Sequence, residues 1–270
     1  MDFLSRDSAP FNDDLWAKID ETVVNTAKKN MICRRFLDIY GPLGAGTSIV
    51  AVDSPAKTEE LEDGFGRITG RNNVGLPLLY EDFSLLWRDL EEAEQLARPA
   101  DLSAATAAAQ RCAMKEDNLI LFGNKKLGSE GLMDASGSYT IERKNWNEGE
   151  AAYQAVAQGI SYFKSNGMLG RYALLLSPEI YLGLQRLQPN VGILEADRVA
   201  GLVNGRMYSV GTYGAGKATL VCAEPQYMDL AIGLDLSVSY QELKDLNHNL
   251  RIMETVALRI KNPAAIVSFQ

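Results

Sequence analysis

Residues 11–31, "FNDDLWAKIDETVVNTAKKNM", carry Trp16, Ile19, Val23, Ala27 and Met31 at helical spacing, so one apolar stripe is predicted along a helix. Asn12 stands where an N-cap belongs, and Asp13 and Asp14 suit the positive end of the helix dipole. Phe11 and Trp16 have the spacing of a hydrophobic staple. Gly41-Pro42 ends the element. A longer helix is predicted in "PADLSAATAAAQRCAMKEDNLILFG", residues 99–123, capped by Asp101 or Ser103 and stopped by Gly123. Leu102, Ala105, Ala109, Cys112, Leu119 and Ile120 share one side of it. Its alanine-rich first half lets a partner element come close, and at about 1.5 Å per residue it is roughly 30 Å long.

Other patterns are shorter. "TSIVAV" and "LPLLYEDFSLLW" predict strands, and "RDLEEAEQLA" a helix. Between them residues 53–75 are polar, acidic and rich in Gly and Asn, which predicts an extended arm or long loop rather than core, and in an assembly such a segment could lie on a neighbour. Residues 133–222 alternate as an α/β unit. It holds a helix capped by Asn147 and ended by Gly167, the strand "RYALLL", a helix starting at Ser177-Pro178, a short helix in "EADRVAGLVNG", and a hairpin in "MYSVGTYGAGKATLVCA". In "LRIMETVALRI" apolar Leu250, Ile252, Val256, Leu258 and Ile260 alternate with Arg251, Thr255 and Arg259, and Glu254 is the one interruption. After the turn at Asn262-Pro263, "AAIVSF" returns as a strand.

Composition narrows the partners. The 270 residues are 46% hydrophobic and 23% charged, an ordinary globular mixture. A net charge of −8 argues against nucleic acid, which needs a basic face. No apolar run reaches membrane-spanning length, and "MDFLSRDSAP" lacks the pattern of a secretory signal. Cys33, Cys112 and Cys222 are odd in number and far apart, which fits reduced cytosolic thiols.

Catalytic candidates lack a constellation. Gly211–Ala218, "GTYGAGKA", nearly fits a phosphate-binding loop with Lys217 in place. Ala218, however, replaces the magnesium-binding hydroxyl, and a strand pattern follows where the loop needs a helix. "GFGRITG", Gly64–Gly70, shares only glycines with a dinucleotide fingerprint. His248, the single histidine, reads as a turn residue, and neither a nucleophile elbow nor a zinc-ligand pattern accompanies it. The acidic clusters Glu59, Glu60, Glu62, Asp63 and Glu91, Glu92, Glu94 read as solvated faces. Trp87 with Tyr80 could stack a planar ligand such as a flavin, against the simpler role of apolar anchors. No catalytic residue and no metal site is expected, and no cofactor is required.

Six stretches carry a resemblance from end to end: "MDFLSRDSAPFNDDLWAKID", "RRFLDIYGPLG", "RPADLSAATAAAQRCAMKEDNLILFG", "LLLSPEIYLGL", "IGLDLSVSY" and "METVALRIKNPAAI". They resemble the encapsulin shell proteins of the linocin-like group, family 1. The resemblance implies an α+β, HK97-like phage capsid fold. Residues 1–45 would be an N-terminal helix and arm of the peripheral domain, 46–76 the extended loop, 77–132 the peripheral domain with its spine helix, 133–222 the axial domain, and 223–270 strands returning to the peripheral domain. It implies an icosahedral shell in the cytoplasm, T=1 with sixty subunits favoured over larger ones. The shell would enclose a ferritin-like iron oxidase or a dye-decolorising peroxidase. Carried over from the family, Ala27, Met31, Arg34, Asp38 and Val238 bind the cargo's targeting peptide on the inner wall. Pro189, Asn190, Val191, Gly192, Ile193, Leu194 and Glu195 form the fivefold pore loop.

Two alternatives stand beside this: a prophage major capsid protein, and a nucleotide-binding enzyme acting through Gly211–Lys217. The arm supplies a test. Deleting residues 56–72 is expected to leave a folded subunit that no longer forms shells, because the arm gains its partners on a neighbour. Size-exclusion elution that stays at particle size would contradict this.

Overall fold

The computed structural model describes residues 3–52, 57–60, 66–69, 72–188 and 192–270. The chain opens with α1 (Asp13–Asn30), then β1 (Ile39–Tyr40) and β2 (Ile49–Val52). The arm contributes β3 (Lys57–Glu60), β4 (Gly66–Thr69) and β5 (Asn72–Gly75). There follow β6 (Leu78–Leu85), α2 (Trp87–Gln95) and α3 (Ser103–Phe122). An α/β segment holds β7 (Tyr139–Ile141), α4 (Ala151–Ser165), β8 (Tyr172–Leu176), α5 (Pro178–Gly183), α6 (Glu195–Leu202), β9 (Met207–Ser209) and β10 (Ala218–Cys222). The chain closes with β11 (Met228–Ile232), β12 (Ser237–Lys244), β13 (Asn247–Ile260) and β14 (Ile266–Phe269).

The long β13 organises the first sheet. β12 and β6 pair antiparallel along its two edges in its first half, and β11 pairs along its second half. β1 adds in parallel to β11. Over this sheet lies α3, and over α3 lies α1. Ala105, Ala108 and Ala109 of α3 are completely buried between Ile19 and Val23 of α1 and Phe83, Leu250 and Ile252 of the sheet. Small side chains at the middle layer let both neighbours approach, as the alanine-rich pattern predicts. The cap of α1 forms as expected: Asn12 Oδ1 accepts from Leu15 N at 2.8 Å, and Phe11 packs on Trp16 with ring centroids 5.4 Å apart. Gly123, with φ 63°, ends α3 against Gly131; a Cβ on Gly131 would lie 2.3 Å from the Gly123 nitrogen, so the chain crosses itself where only glycine fits.

The second sheet runs β7-β14-β10-β8-β9. α4 covers it with Ala152, Val156, Ile160 and Phe163. Four expectations change. β9 and β10 do not form a hairpin; they flank β8, one parallel and one antiparallel, because the all-apolar β8 is buried on both edges and both faces. The cap position of α4 is Glu150, three residues after Asn147. Residues 223–270 divide: β11, β12 and β13 lie in the first sheet, whereas β14 pairs with β10 and β7 in the second. His248 lies inside β13, not in the turn, which is made by Asp245 and Leu246 at positive φ. In the arm, β2 pairs with β5 and β3 with β4, both antiparallel. The fingerprint-like Gly64 and Gly70 and the acids Glu62 and Asp63 fall outside the described residues, as do the side chains of Glu59 and Glu60.

The two halves meet where the chain leaves α1. Asp117 of α3 accepts from Ile32 N at 2.9 Å and from Cys33 N at 2.9 Å, fixing the single turn Cys33–Arg35. Burial nonetheless pushes the Asp117 carboxyl up. Arg171, at the entry of β8, ion-pairs with Asp38 and Glu224, and Phe36 packs on Tyr208 with ring centroids 5.7 Å apart. Asp117→Ala is expected to lower subunit stability by about 3 kcal/mol, since two backbone donors lose a charged acceptor. Asp117→Asn should cost less, because its carbonyl still accepts. Denaturant midpoints of the two variants check the order.

Candidate functional site

Beside the last turns of α1 lies a groove of about 320 Å³. Val24, Ala27 and Lys28 of α1 form one side with Met31 at its C-cap, and Arg34, Arg35 and Ile39 continue it along the chain. Asp235 and Leu236, just ahead of β12, form the other. Ala27 and Met31 are buried and give the floor its apolar character, whereas Ile39 is 50% exposed at the rim.

Arg34 joins the walls. Its Nε and Nη2 grip Glu116 of α3 at 2.9 and 2.7 Å, and Nη1 reaches Asp235 at 2.7 Å. The same Nη2 also donates to Glu254 of β13 at 2.8 Å. Glu116 and Glu254 are completely buried, while the Asp235 side chain is 58% exposed. Burial and then the neighbouring Glu116 raise the Glu254 carboxyl well above the usual range. Burial opposes ionisation of Asp235 too, but its hydrogen bond to Arg34 holds it below that range. Burial opposes the charge on Arg34, but Glu116, Glu254 and Asp235 together outweigh it and hold the guanidinium more firmly protonated. Cys112 Sγ lies 3.7 Å from Glu254 Oε1, and burial followed by Glu254 raises that thiol.

The structure therefore brings together three of the five residues carried over for peptide binding: Ala27, Met31 and Arg34. Asp38 is not among the groove's lining residues and ion-pairs with Arg171. Val238 is 1% exposed and packs in the core with Ile19 and Ala109; Leu236, two residues earlier, takes the groove position. Sequence patterns missed Val24, Lys28, Asp235 and the two buried glutamates. The signals were present: Val24 and Lys28 sit four apart on α1, and Glu254 is the residue that breaks the alternation of β13.

Other candidates separate. Trp87 lines a cleft of about 470 Å³ with Phe11, Leu15 and His248. Tyr80 lies on a different surface, its ring covered by the Arg251 guanidinium at 4.0 Å. The two rings do not flank one site. Burial lowers the His248 pKa, and its Nδ1 contacts Tyr240 Oη at 3.2 Å. Gly211–Lys217 is a loop ahead of strand β10, with Tyr213 buried beneath it, so no helix N-terminus faces it. Of the pore-loop residues, Pro189, Asn190 and Val191 fall outside the described residues. Gly192 has φ 70°, and Ile193 O accepts from Gln188 N at 2.9 Å. Leu194 bridges to Leu187, and buried Glu195 ion-pairs with Arg186 at 2.6 Å, which ties the loop at its base. Among the described residues no group of three or more His, Cys, Asp or Glu is placed to hold a metal. No helix among them is long and apolar enough to cross a membrane.

Comparison with known proteins adds three findings. Residues 1–257 match the family model Linocin_M18, described as an encapsulating protein for peroxidase. The type 1 encapsulin shell protein EncA of Myxococcus xanthus is 35% identical, over 100% of this chain and 96% of its own length. The virus-like particle from Pyrococcus furiosus superposes with a TM-score of 0.74 at 19% identity, covering 94% of this chain and 99% of that one, and the capsid of Myoviridae phage XM1 with a TM-score of 0.61 at 15% identity, covering 88% and 90%. With its long spine helix α3, paired arm and β13-centred sheet on the HK97-like capsid fold, the chain belongs to the encapsulin shell protein family.

Proposed function

We propose that copies of this chain close into an icosahedral shell, T=1 with sixty subunits, that houses a cargo enzyme and performs no reaction itself. The groove beside α1 is the dock for the cargo's terminal peptide. The observation that carries this is the groove's form: an apolar floor of Ala27 and Met31 flanked by apolar Val24, Ile39 and Leu236, with Lys28, Arg34 and Asp235 at its edges, the shape that accepts a short apolar segment. A peroxidase is the favoured cargo, in keeping with the description of the matching family; a ferritin-like iron oxidase is the second. Cytoplasmic assembly agrees with three buried free thiols.

Self-assembly draws support from the surface. Leu78, Tyr80, Met114, Phe122 and Leu127 are each 36% exposed or more around the outer face of α3. A patch of this kind on one chain suits contact with another copy. Each such contact is modest, and closure makes the later ones effectively intramolecular.

Val24 and Ile39 line the groove without being part of the core, so charges placed there spare the fold. Val24→Glu with Ile39→Asp is expected to cut capture of a fluorescent reporter bearing the tail of the cargo enzyme by about a hundredfold, equivalent to roughly 2.7 kcal/mol. Particle yield should not change. Unchanged capture would move the docking site elsewhere, while loss of particles would place these residues at a subunit contact.

A further inference from the structure

Beneath the groove one guanidinium faces three carboxyl groups from three elements: Glu116 of α3, Glu254 of β13 and Asp235 of the segment leading into β12. Two of them, Glu116 and Glu254, are sealed from solvent and share a single nitrogen, Arg34 Nη2. Were both buried acids ionised, two negative charges would face the single positive charge of Arg34, which Asp235 also shares. A buried charge without a partner is strongly unfavourable. Among the described residues no second cation reaches the two buried acids. Lys115, the residue before Glu116, turns its ammonium to Glu81 at 2.6 Å and to Tyr80 O at 2.9 Å. Lys28 of α1 acts on Asp235 from the solvent side. Cys112 on α3 is a neutral thiol donating toward Glu254, and the β6 residue paired with Glu254 is Leu79.

We propose that Glu254 is a carboxylic acid at neutral pH, its proton bridging to Glu116, and that this proton latches the groove wall Asp235–Leu236 to Arg34. When the proton leaves, no new bond forms to compensate for the added charge. Of the three acids only Asp235 reaches solvent, so it is the one that departs, carrying Leu236 away from α1 and opening the groove. The groove is thus proton-linked: closed and complete while Glu254 is protonated, open when it ionises. This rests on the groove's reading as a peptide dock only for its consequence, since an open wall would release what is bound.

The sign follows from linkage. A carboxyl raised in the folded state means that the folded chain binds the extra proton, so stability falls as pH rises from the ordinary glutamate range through the raised value. Glu254→Gln keeps a donor toward Glu116 and an acceptor for Arg34 but cannot ionise. Relative to it, the wild-type folded-to-unfolded ratio should drop by about tenfold per pH unit across that interval. Three measurements on assembled particles test this. Infrared spectra of wild type at neutral pH should contain a carboxylic-acid band that E254Q lacks. Melting temperature should decline with pH more steeply in wild type than in E254Q. With Leu236→Cys as a reporter, iodoacetamide should label L236C faster than L236C/E254Q at alkaline pH and equally at mildly acidic pH; the shared thiol cancels its own titration. A labelling ratio that stays at one, or a wild-type spectrum without the acid band, overturns the proposal. If E254Q fails to form particles, the same band difference read between unassembled wild-type and E254Q subunits decides. None of these readouts uses a cargo peptide, so their failure leaves the docking assignment standing, and failed cargo capture leaves the latch standing.

Discussion

Arg34 is the side chain on which the rest of the molecule depends. It leaves the end of α1 and satisfies acids from α3, β13 and the approach to β12, so three layers are fixed by one guanidinium. A pair of this kind contributes little net stability when compared with apolar replacements, but its geometry is demanding, and breaking it leaves buried charge. Its effect is therefore positional. Together with the Asp117 clamp on Ile32 and Cys33 it sets where the chain goes after α1, and so where Asp38 meets Arg171 and where β1 joins the first sheet.

From that joint the two halves can be understood separately. The layered half is made of surfaces that match: an alanine face on α3, an aliphatic stripe on α1 and the buried face of β6, β12 and β13. The α/β half closes its own core around β8, which is why β14 is drawn from the far end of the chain to complete the second sheet. The groove is what remains where α1 ends and the sheet does not follow it. Function in such a protein comes from shape, repeated and closed.

Much of this was legible in the residues. α1, its Asn12 cap and the Phe11–Trp16 staple are local devices, and local spacing is enough to find them. The span of α3 and its stop at Gly123 are equally local, but its N-cap position is Leu102 instead of Asp101 or Ser103; Asp101 Oδ1 accepts from Ser103 N, at 2.8 Å. The β9–β10 hairpin that local spacing predicts does not form, because strand pairing is a long-range choice: two apolar runs near each other in sequence pair with β8 instead of with each other. Asn147 could cap a helix in isolation, yet α4 starts three residues later. For the groove, family resemblance indicated Ala27, Met31 and Arg34 but not Asp235 or the buried glutamates. Glu254 had been visible as a polar residue in an apolar alternation, a local inconsistency of the kind that marks functional or strained sites. What spacing could not reveal was that Glu116, more than a hundred residues earlier, meets it across Arg34.

The central claim is that this chain is shaped to tile with itself around an enclosed volume. Sedimentation velocity of the purified protein, expressed alone and examined over a range of concentration and salt, tests it most directly. The account predicts one fast boundary at the mass of a closed particle, with hollow spheres in the electron micrographs of the same sample. A sample that sediments as monomer at every concentration would contradict it.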